Sequence, residues 1–126
     1  MKNFKNLKIW HKSMEIVKDV YLFVADFPKQ ETYSLGNQLT RAAVSISSNI
    51  AEGSSRNSDK DYARFIEMAL GSGFEVETQV LVALHLNLGK QVIGNKILIL
   101  LDEQQKMLIR FLSVLRKGSK LTAQGS

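Results

Sequence analysis

The chain has 126 residues, 44% of them hydrophobic and 23% charged, with a formal net charge of +5 and no cysteine. This length and composition are typical of one globular domain with its own core. The lack of cysteine excludes disulfides, thiolate catalysis and cysteine-ligated metals. No apolar run approaches the length of a membrane span and no signal-like segment opens the chain, so we expect a cytoplasmic protein without a membrane partner.

The charge is unevenly distributed along the chain. Residues 1–32 carry a net +2, residues 33–57 carry +1, residues 58–89 carry −3 and residues 90–126 carry +5. Such asymmetry suggests a polyanionic partner, but Lys-rich helix ends are also common in proteins without one. Charge alone therefore leaves contact with RNA or DNA open.

The first predicted helix covers residues 7–26 approximately. It ends before Pro28, which cannot continue a helix that precedes it. Apolar residues recur at intervals of three and four, as they do on the buried side of a helix. This spacing predicts a core-facing row of Leu7, Trp10, Met14, Val17, Tyr21 and Val24.

The second and third predicted helices cover residues 33–52 and 58–88. In the third, Ser58 is the expected N-cap, with Asp61 as its capping partner, and Gly89 is the expected left-handed residue after the last turn. The core-facing row of the second helix is Leu35, Leu39, Ala43, Ile46 and Ile50.

The fourth predicted helix covers residues 94–117 approximately, with a start anywhere between Gln91 and Lys96 because Gly94 and Asn95 blur it. Residues 118–126 are expected to be a frayed tail. All four helices belong to one domain, residues 1–126. Because the connections are short, consecutive helices should be antiparallel neighbours. The expected fold is therefore all-α, an up-down-up-down four-helix bundle.

Catalytic and metal-binding patterns are missing from this sequence. No glutamate has a histidine three residues on, as ferritin-like di-iron sites require, and His11 and His85 lie on different helices. Glu75 and Glu77 are two residues apart and therefore point to different sides of a helix. Phosphate-binding and nucleophile motifs are absent as well. We therefore expect no enzymatic activity, no catalytic residues, no metal and no cofactor.

A row of small and polar residues runs along one flank of the second helix. It lies roughly 100° from the apolar row, where a neighbouring helix or another subunit would pack. The third helix contains Gly71, Ser72 and Gly73, which suggests close approach of another backbone, or a contact of Ser72 and Glu75 with the polar row. Helix packing is the favoured interpretation over a ligand site. The polar row consists of Gln38, Ala42, Ser45, Asn49, Glu52 and Arg56.

Three stretches carry a resemblance to a known family: "FKNLKIWHKS", "QLTRAAVSISSNIAEGSSR" and "FIEMALGSGFEVETQV". They resemble the four-helix bundle proteins that include products of intervening sequences in bacterial 23S ribosomal RNA genes. This family is similar to the accessory variability protein of diversity-generating retroelements. The resemblance covers residues 4–116 approximately, and the sequence departs from the family pattern at Leu70 and Gly73.

The resemblance implies a homopentamer without known catalytic residues. In the retroelement branch it also implies binding to nucleic acid and to a reverse transcriptase. Together with the polar row, it suggests a contact that sets helix register or joins subunits, a role that buried polar groups play in some proteins. The candidate residues for this contact are Arg41, Ser45, Asn49, Glu52, Gly53, Arg56, Gly71, Ser72 and Glu75.

The fourth helix carries the candidate nucleic-acid-binding face. Its basic residues lie opposite the apolar row, although Asp102 and Glu103 interrupt the face and a merely solvated surface would look the same. No aromatic residue alternates with the cations, so binding would be directed to the phosphate backbone. Two functions stay open: a nucleic-acid-binding accessory factor, or an oligomeric adaptor for another protein. The candidate binding residues are Lys106, Arg110, Arg116, Lys117 and Lys120.

Overall fold

The computed structural model describes the backbone of residues 3–125 and the side chains of residues 3–118. Four long helices make up most of the chain, and a single 3-10 turn, Phe4–Asn6, precedes the first of them. Residues 3–125 contain no strand, which confirms the all-α class. The helices are α1 (Lys8–Ala25), α2 (Asn37–Ser54), α3 (Asp59–His85) and α4 (Gln91–Gly125).

The chain enters α2 through helical segments that the sequence did not predict. After Pro28, an α-helical segment, Lys29–Glu31, continues into a π-helical turn, Thr32–Gly36, and then directly into α2. The Pro28 carbonyl accepts hydrogen bonds from the N–H groups of Glu31 and Thr32, at 2.9 and 3.1 Å. Proline lacks an N–H and has a fixed φ, so it suits the start of a helix. Helical structure therefore begins at Lys29 rather than near residue 33.

Both ends of α3 are defined by specific hydrogen bonds. The Ser58 hydroxyl accepts the N–H of Asp61 at 3.1 Å, which confirms the predicted cap. At the other end Asn87 (φ 58°), rather than Gly89 as predicted, is the left-handed residue directly after the last turn; Gly89 is left-handed as well (φ 71°) but lies two residues further on. The N–H groups of Leu88 and Asn87 donate to the carbonyls of Ala83 and Leu84, at 2.8 and 3.1 Å. These two bonds form a Schellman motif, in which Asn tolerates the left-handed conformation.

Helix α4 is longer than the sequence predicts. It begins at Gln91, ahead of Gly94 and Asn95, and its backbone is helical through Gly125, across residues expected to be a frayed tail. The Lys90 carbonyl accepts the N–H groups of Ile93 and Gly94, both at 3.1 Å, which starts the helix early. A glycine inside a helix costs only about 1 kcal/mol relative to alanine. Gly94 and Gly118 can therefore lie inside α4, and this part of the sequence contains no proline that would interrupt the helix.

The buried side of α1 differs from the predicted row. Met14 and Tyr21 are 42% and 54% exposed, Val24 is buried, and the other three residues of the predicted row are only partly buried against the core. Most of the residues that face the core instead lie one position earlier in the sequence than those of the predicted row, and they include a fully buried polar residue, Ser13. Apolar residues occupy more than one side of α1, so spacing alone did not identify the buried side. The buried residues of α1 are Ile9, Ser13, Ile16, Asp19, Val20, Phe23 and Val24.

The four helices enclose one hydrophobic core. Helix α1 packs against α2 and α4, and α3 packs against the same two helices. The predicted core residues Leu39, Ala43, Ile46 and Ile50 of α2 are all fully buried. Within residues 3–125, no helix is both long and apolar enough to cross a membrane.

Candidate functional site

The polar row of α2 contacts α3 through two serines. The hydroxyls of Ser45 and Ser72 lie 2.9 Å apart. The Asn49 amide holds Ser45 in place, because its Nδ2 donates to the Ser45 carbonyl at 2.9 Å and to the Ser45 hydroxyl at 3.1 Å. All three side chains are half-buried. The structure thus brings together Ser45, Asn49 and Ser72 of the predicted contact.

A glutamine pair extends this polar contact toward the start of α2. Gln79 Nε2 donates to Gln38 Oε1 and to Glu75 Oε1, both at 3.3 Å. Glu75 is exposed and connects to α2 only through Gln79. Gln79, which is buried, is the one member that the sequence analysis missed, although it lies seven residues after Ser72 and so on the same side of α3.

The two glycines of the predicted contact have opposite environments. A Cβ atom at Gly53 would lie 2.9 Å from both Phe65 Cβ and Tyr62 Cδ1, so α2 and α3 approach closely here. A Cβ atom at Gly71 would meet no atom within 4 Å. The expected close backbone approach thus occurs at Gly53 and not at Gly71, which is exposed on the outer side of α3. At Gly73 the nearest atom, Gln105 Nε2, would be at an ordinary 3.7 Å.

The charged members Arg41, Glu52 and Arg56 take no part in the serine and glutamine hydrogen bonds that join α2 to α3. Glu52 and Arg56 form an exposed ion pair of 3.8 Å within their own chain segment. The Arg56 guanidinium also lies over the Phe65 ring, 4.5 Å from its centroid. Arg41 is exposed and lines an open cavity of about 380 Å³ with Tyr21 and Val44, at the junction of α1 and α2.

Two further charged residues of α3 form ion pairs on its surface. Arg64 lies 3.6 Å from Asp61, one turn away on α3. Glu67 pairs across to α4 instead, where the Arg116 guanidinium donates to its carboxylate at 2.7 Å. Both pairs are exposed, so each contributes only about 0–1 kcal/mol.

Polar contacts on α1 were missed by the sequence analysis. The Ser47 hydroxyl donates to the buried Ser13 hydroxyl at 3.0 Å, and Ser13 donates to the Trp10 carbonyl at 2.6 Å. Further along the same buried row of α1, the Asp19 carboxylate lies 3.2 Å from Lys96 Nζ on α4. The only signal in the sequence was the presence of Ser13 and Asp19 at helical spacing with Ile9, Ile16 and Phe23.

Part of the positive charge on the basic face of α4 is neutralised by nearby carboxylates. Lys106 Nζ lies 3.1 Å from Asp102, and Arg116 pairs with Glu67 as described above. Arg110 and Lys117 are exposed and have no ion-pair partner within the side chains of residues 3–118. The side chain of Lys120 lies outside the described residues. Two of the five predicted cations are thus both exposed and unpaired.

The described part of the chain contains no cluster of His, Asp and Glu side chains that could hold a metal. His11 and His85 are exposed and lie on different helices. Burial of Tyr62 in the core raises the pKa of its hydroxyl above the usual value, so this group stays protonated at neutral pH. The notable features of the described surface are therefore polar, basic and apolar contact areas rather than a cluster of reactive groups.

These observations define an all-α protein with four helices, a polar contact between α2 and α3 and a basic face on α4. The chain belongs to the 23S rRNA-intervening sequence protein family, whose model matches residues 5–110. Among curated proteins no match is found.

A solved structure shares the fold. It is a crystal structure from Bacteroides thetaiotaomicron VPI-5482, described as a protein with unknown function from the S23 ribosomal protein family. It is 22% identical to this chain, with a TM-score of 0.74, and the match covers 82% of this chain and 97% of the other. At this identity the likeness establishes the fold alone.

Replacing Asn49 by leucine should disturb packing and assembly more than helicity. The Asn49→Leu variant loses both hydrogen bonds to Ser45, which we expect to cost about 1 kcal/mol and to broaden the thermal transition. Circular dichroism at 222 nm would measure the transition, and sedimentation velocity the mass. Asn95→Leu, at an exposed position of α4, is the matched control. An unchanged mass with an equally sharp transition in Asn49→Leu would contradict this role.

Proposed function

We propose that this chain is a non-catalytic, self-assembling helical bundle that binds the phosphate backbone of RNA or DNA with the outer face of α4. The observation that carries the proposal is the pair of exposed, unpaired cations Arg110 and Lys117. They are seven residues apart, so they lie on the same side of the helix, roughly 10 Å from each other. Cations in this position can contact phosphates without reading bases.

The bundle that we infer is antiparallel, with consecutive helices running up, down, up and down. Lys12 near the start of α1 pairs with Glu103 in the middle of α4 at 2.6 Å, whereas Lys96 near the start of α4 pairs with Asp19 late in α1. The start of each helix thus pairs with a later part of the other, as expected for two antiparallel helices. The same reasoning applies to α2 and α3, where Gly53 lies near Phe65 and Gln38 bonds Gln79.

Self-assembly is supported by apolar side chains on the outer surface. Met14, Tyr21 and Val44 are between 40% and 54% exposed, and the last two line the cavity beside Arg41. Exposed apolar areas bordered by polar residues commonly mark protein interfaces. In a homopentamer, five copies that each carry +5 would combine to +25 and would bind a polyanion with avidity.

The similarity to the accessory variability protein makes a reverse transcriptase one candidate partner. This part of the proposal rests on the sequence resemblance and on no contact within the structure. Gene neighbourhood tests it directly. A reverse transcriptase gene beside this one would support the retroelement branch, and a position inside a 23S ribosomal RNA gene would support the ribosomal branch.

The experiment is a binding titration of a labelled structured RNA and a matched DNA duplex over a series of salt concentrations. We expect an affinity of about 1–100 µM that falls steeply with salt, as for binding without sequence preference. The double variant Arg110→Glu and Lys117→Glu should flatten the salt dependence, since each lost phosphate contact lowers the slope by about 0.7–0.9. Sedimentation of the same samples would report the oligomer.

The double variant Lys18→Glu and Lys60→Glu is the control, because both residues are exposed and neither lies on α4. It changes the net charge equally and should leave the slope unchanged. An equal loss in the two double variants would show that net charge alone drives binding and would refute the α4 face.

The second candidate function is an oligomeric adaptor for another protein. It is favoured by the ion pairs of Lys106 and Arg116, which reduce the charge available on α4, and by the exposed apolar side chains. Absence of RNA and DNA binding even at low salt would select this function over the first.

A further inference from the structure

A shallow pocket lies where the start of α1 meets α4. Its volume is about 260 Å³, and it opens to the outside of the bundle. The side chains around it fall into two kinds, four apolar and two cationic. The lining residues are Leu7, Lys8, Ile9, Met107, Arg110 and Phe111.

The apolar part of the pocket is incompletely covered by the chain itself. Leu7, Met107 and Phe111 pack against the core but are only partly buried, so each keeps apolar surface exposed to water. Methionine adapts readily to the shape of a bound group. Filling the pocket with an apolar group would remove this surface from water, which is favourable.

The size of the pocket points to a single side chain as its occupant. Pockets that enclose small-molecule ligands usually measure about 300–1,000 Å³, and this one is smaller and open. Protein interfaces often bind one large apolar side chain in such a pocket at their centre. The pocket therefore fits an anchor residue of a protein segment better than a free small molecule.

The chemistry of the lining argues against a nucleobase in the same place. The polar edges of a base would lose their hydrogen bonds to water, and the apolar side chains of the lining would not replace them. Lys8 and Arg110 are donors only, so they could pair with the acceptors of a base but not with its N–H groups. The backbone carbonyl of Ile9, one of the lining residues, already receives a hydrogen bond from Gln104 Nε2 at 3.1 Å. An apolar side chain loses no hydrogen bonds on entry.

The charge around the pocket determines what must flank that side chain. Lys8 and Arg110 stand on opposite helices at its rim and are both exposed. The two chain segments that form it, residues 1–32 and 90–126, are the two most positive, at +2 and +5. Glu103, which lies two turns before Arg110 on α4, is held by Lys12 at 2.6 Å. The surroundings are therefore complementary to carboxylates.

We propose that this pocket is a docking site for an acidic segment of a partner protein, which inserts one large apolar side chain between Lys8 and Arg110. The apolar side chain contributes most of the affinity, and the flanking carboxylates contact the two cations and set the position of the segment. This interaction goes beyond the proposed nucleic-acid contact and does not depend on it.

The test is fluorescence anisotropy with a fluorescein-labelled pentapeptide, Asp-Glu-Phe-Glu-Asp, and the full-length protein. Replacing Phe by Ser in the peptide should weaken binding at least about tenfold, because the anchor is lost. Replacing its four acids by amides should weaken binding as well and should remove the salt dependence.

Two variants of the protein test whether the peptide binds in this pocket. Lys8→Gln removes a rim charge and should weaken binding roughly fivefold, while Met107→Gln places a polar group in the pocket and should weaken it further. Lys18→Gln, at an exposed position of α1 away from α4, is the charge-matched control and should bind as the wild type does.

Three results would overturn the proposal: no peptide binding at millimolar concentration, equal affinity for the Phe and Ser peptides, or an equal loss in Lys18→Gln. A fourth is displacement of the peptide by an oligo-U strand whose own binding is lost in Met107→Gln, since nucleic acid would then occupy the pocket. Failure of RNA binding to the α4 face leaves the peptide result unaffected, so the two proposals fail separately.

Discussion

Replacing Gly89 by alanine should lower the free energy of unfolding by about 2–4 kcal/mol. Gly89 has a φ of +71°, a conformation that a residue with a Cβ adopts only at a cost. The new Cβ would also lie 2.6 Å from Cε1 and 2.8 Å from Cδ1 of Phe23. Phe23 is fully buried, so its ring has no free space into which to move. Urea denaturation followed by circular dichroism would measure the loss.

The two causes of this loss can be separated by shortening the side chain opposite. In a Phe23→Leu background the nearest ring atom, Cε1, is gone, while Phe27 Cε1 at 3.0 Å remains, so Gly89→Ala should cost less than in the wild type but still at least the backbone cost of about 1–2 kcal/mol. The comparison is a double-mutant cycle, in which a coupling energy between the sites is expected. An unchanged denaturation midpoint in Gly89→Ala, or the same cost in both backgrounds, would show that the ring and residue 89 do not conflict.

Replacing Gly53 by alanine should destabilise the protein by about 1–3 kcal/mol, the usual cost of overpacking a close contact. The new Cβ would meet Phe65 Cβ at 2.9 Å, and this atom is fixed to the backbone of α3, so the two helices must separate. The hydrogen bond between Ser45 and Ser72 spans the same two helices and should be strained by that separation.

Gly71→Ala is the matched control for Gly53→Ala. It introduces the same methyl group into open space on an exposed side of α3, and should stabilise the protein by about 0.4–1 kcal/mol through the lower entropy of the unfolded chain. Thermal denaturation of both variants would therefore move the midpoint in opposite directions. A shift in the same direction for both would contradict the close approach at Gly53.

The sequence was sufficient for the class of fold but not for the buried side of every helix. In α2 the apolar residues occupy one side, and Leu39, Ile46 and Ile50 were correctly predicted as core. In α1 two rows have helical spacing, and the row that contains Ser13 and Asp19 looked less suitable for burial. Their partners, Ser47 and Lys96, lie on other helices, and a spacing rule along one helix cannot anticipate them.

In the candidate site, too, features that follow from the pattern of one helix could be predicted, whereas features that depend on how two helices align could not. A contact of Ser72 with the polar row that contains Ser45 could be predicted, as one of two alternatives, because that row is regular along α2. The environment of Gly71 could not, because a glycine in a helix is compatible with both a close neighbour and open solvent. The pairing of Arg116 with Glu67 depends on how α3 and α4 align, which the sequence does not specify.

The π-helical turn Thr32–Gly36 affects how the chain can tolerate changes in length. A π turn contains one residue more than an α-helical turn, so deleting a single residue there would restore a regular helix and leave α2 unrotated. The same deletion inside α2 would rotate every earlier residue by about 100° relative to the later ones. This turn is therefore a place before α2 where the chain can lose a residue and still keep Ser45 opposite Ser72.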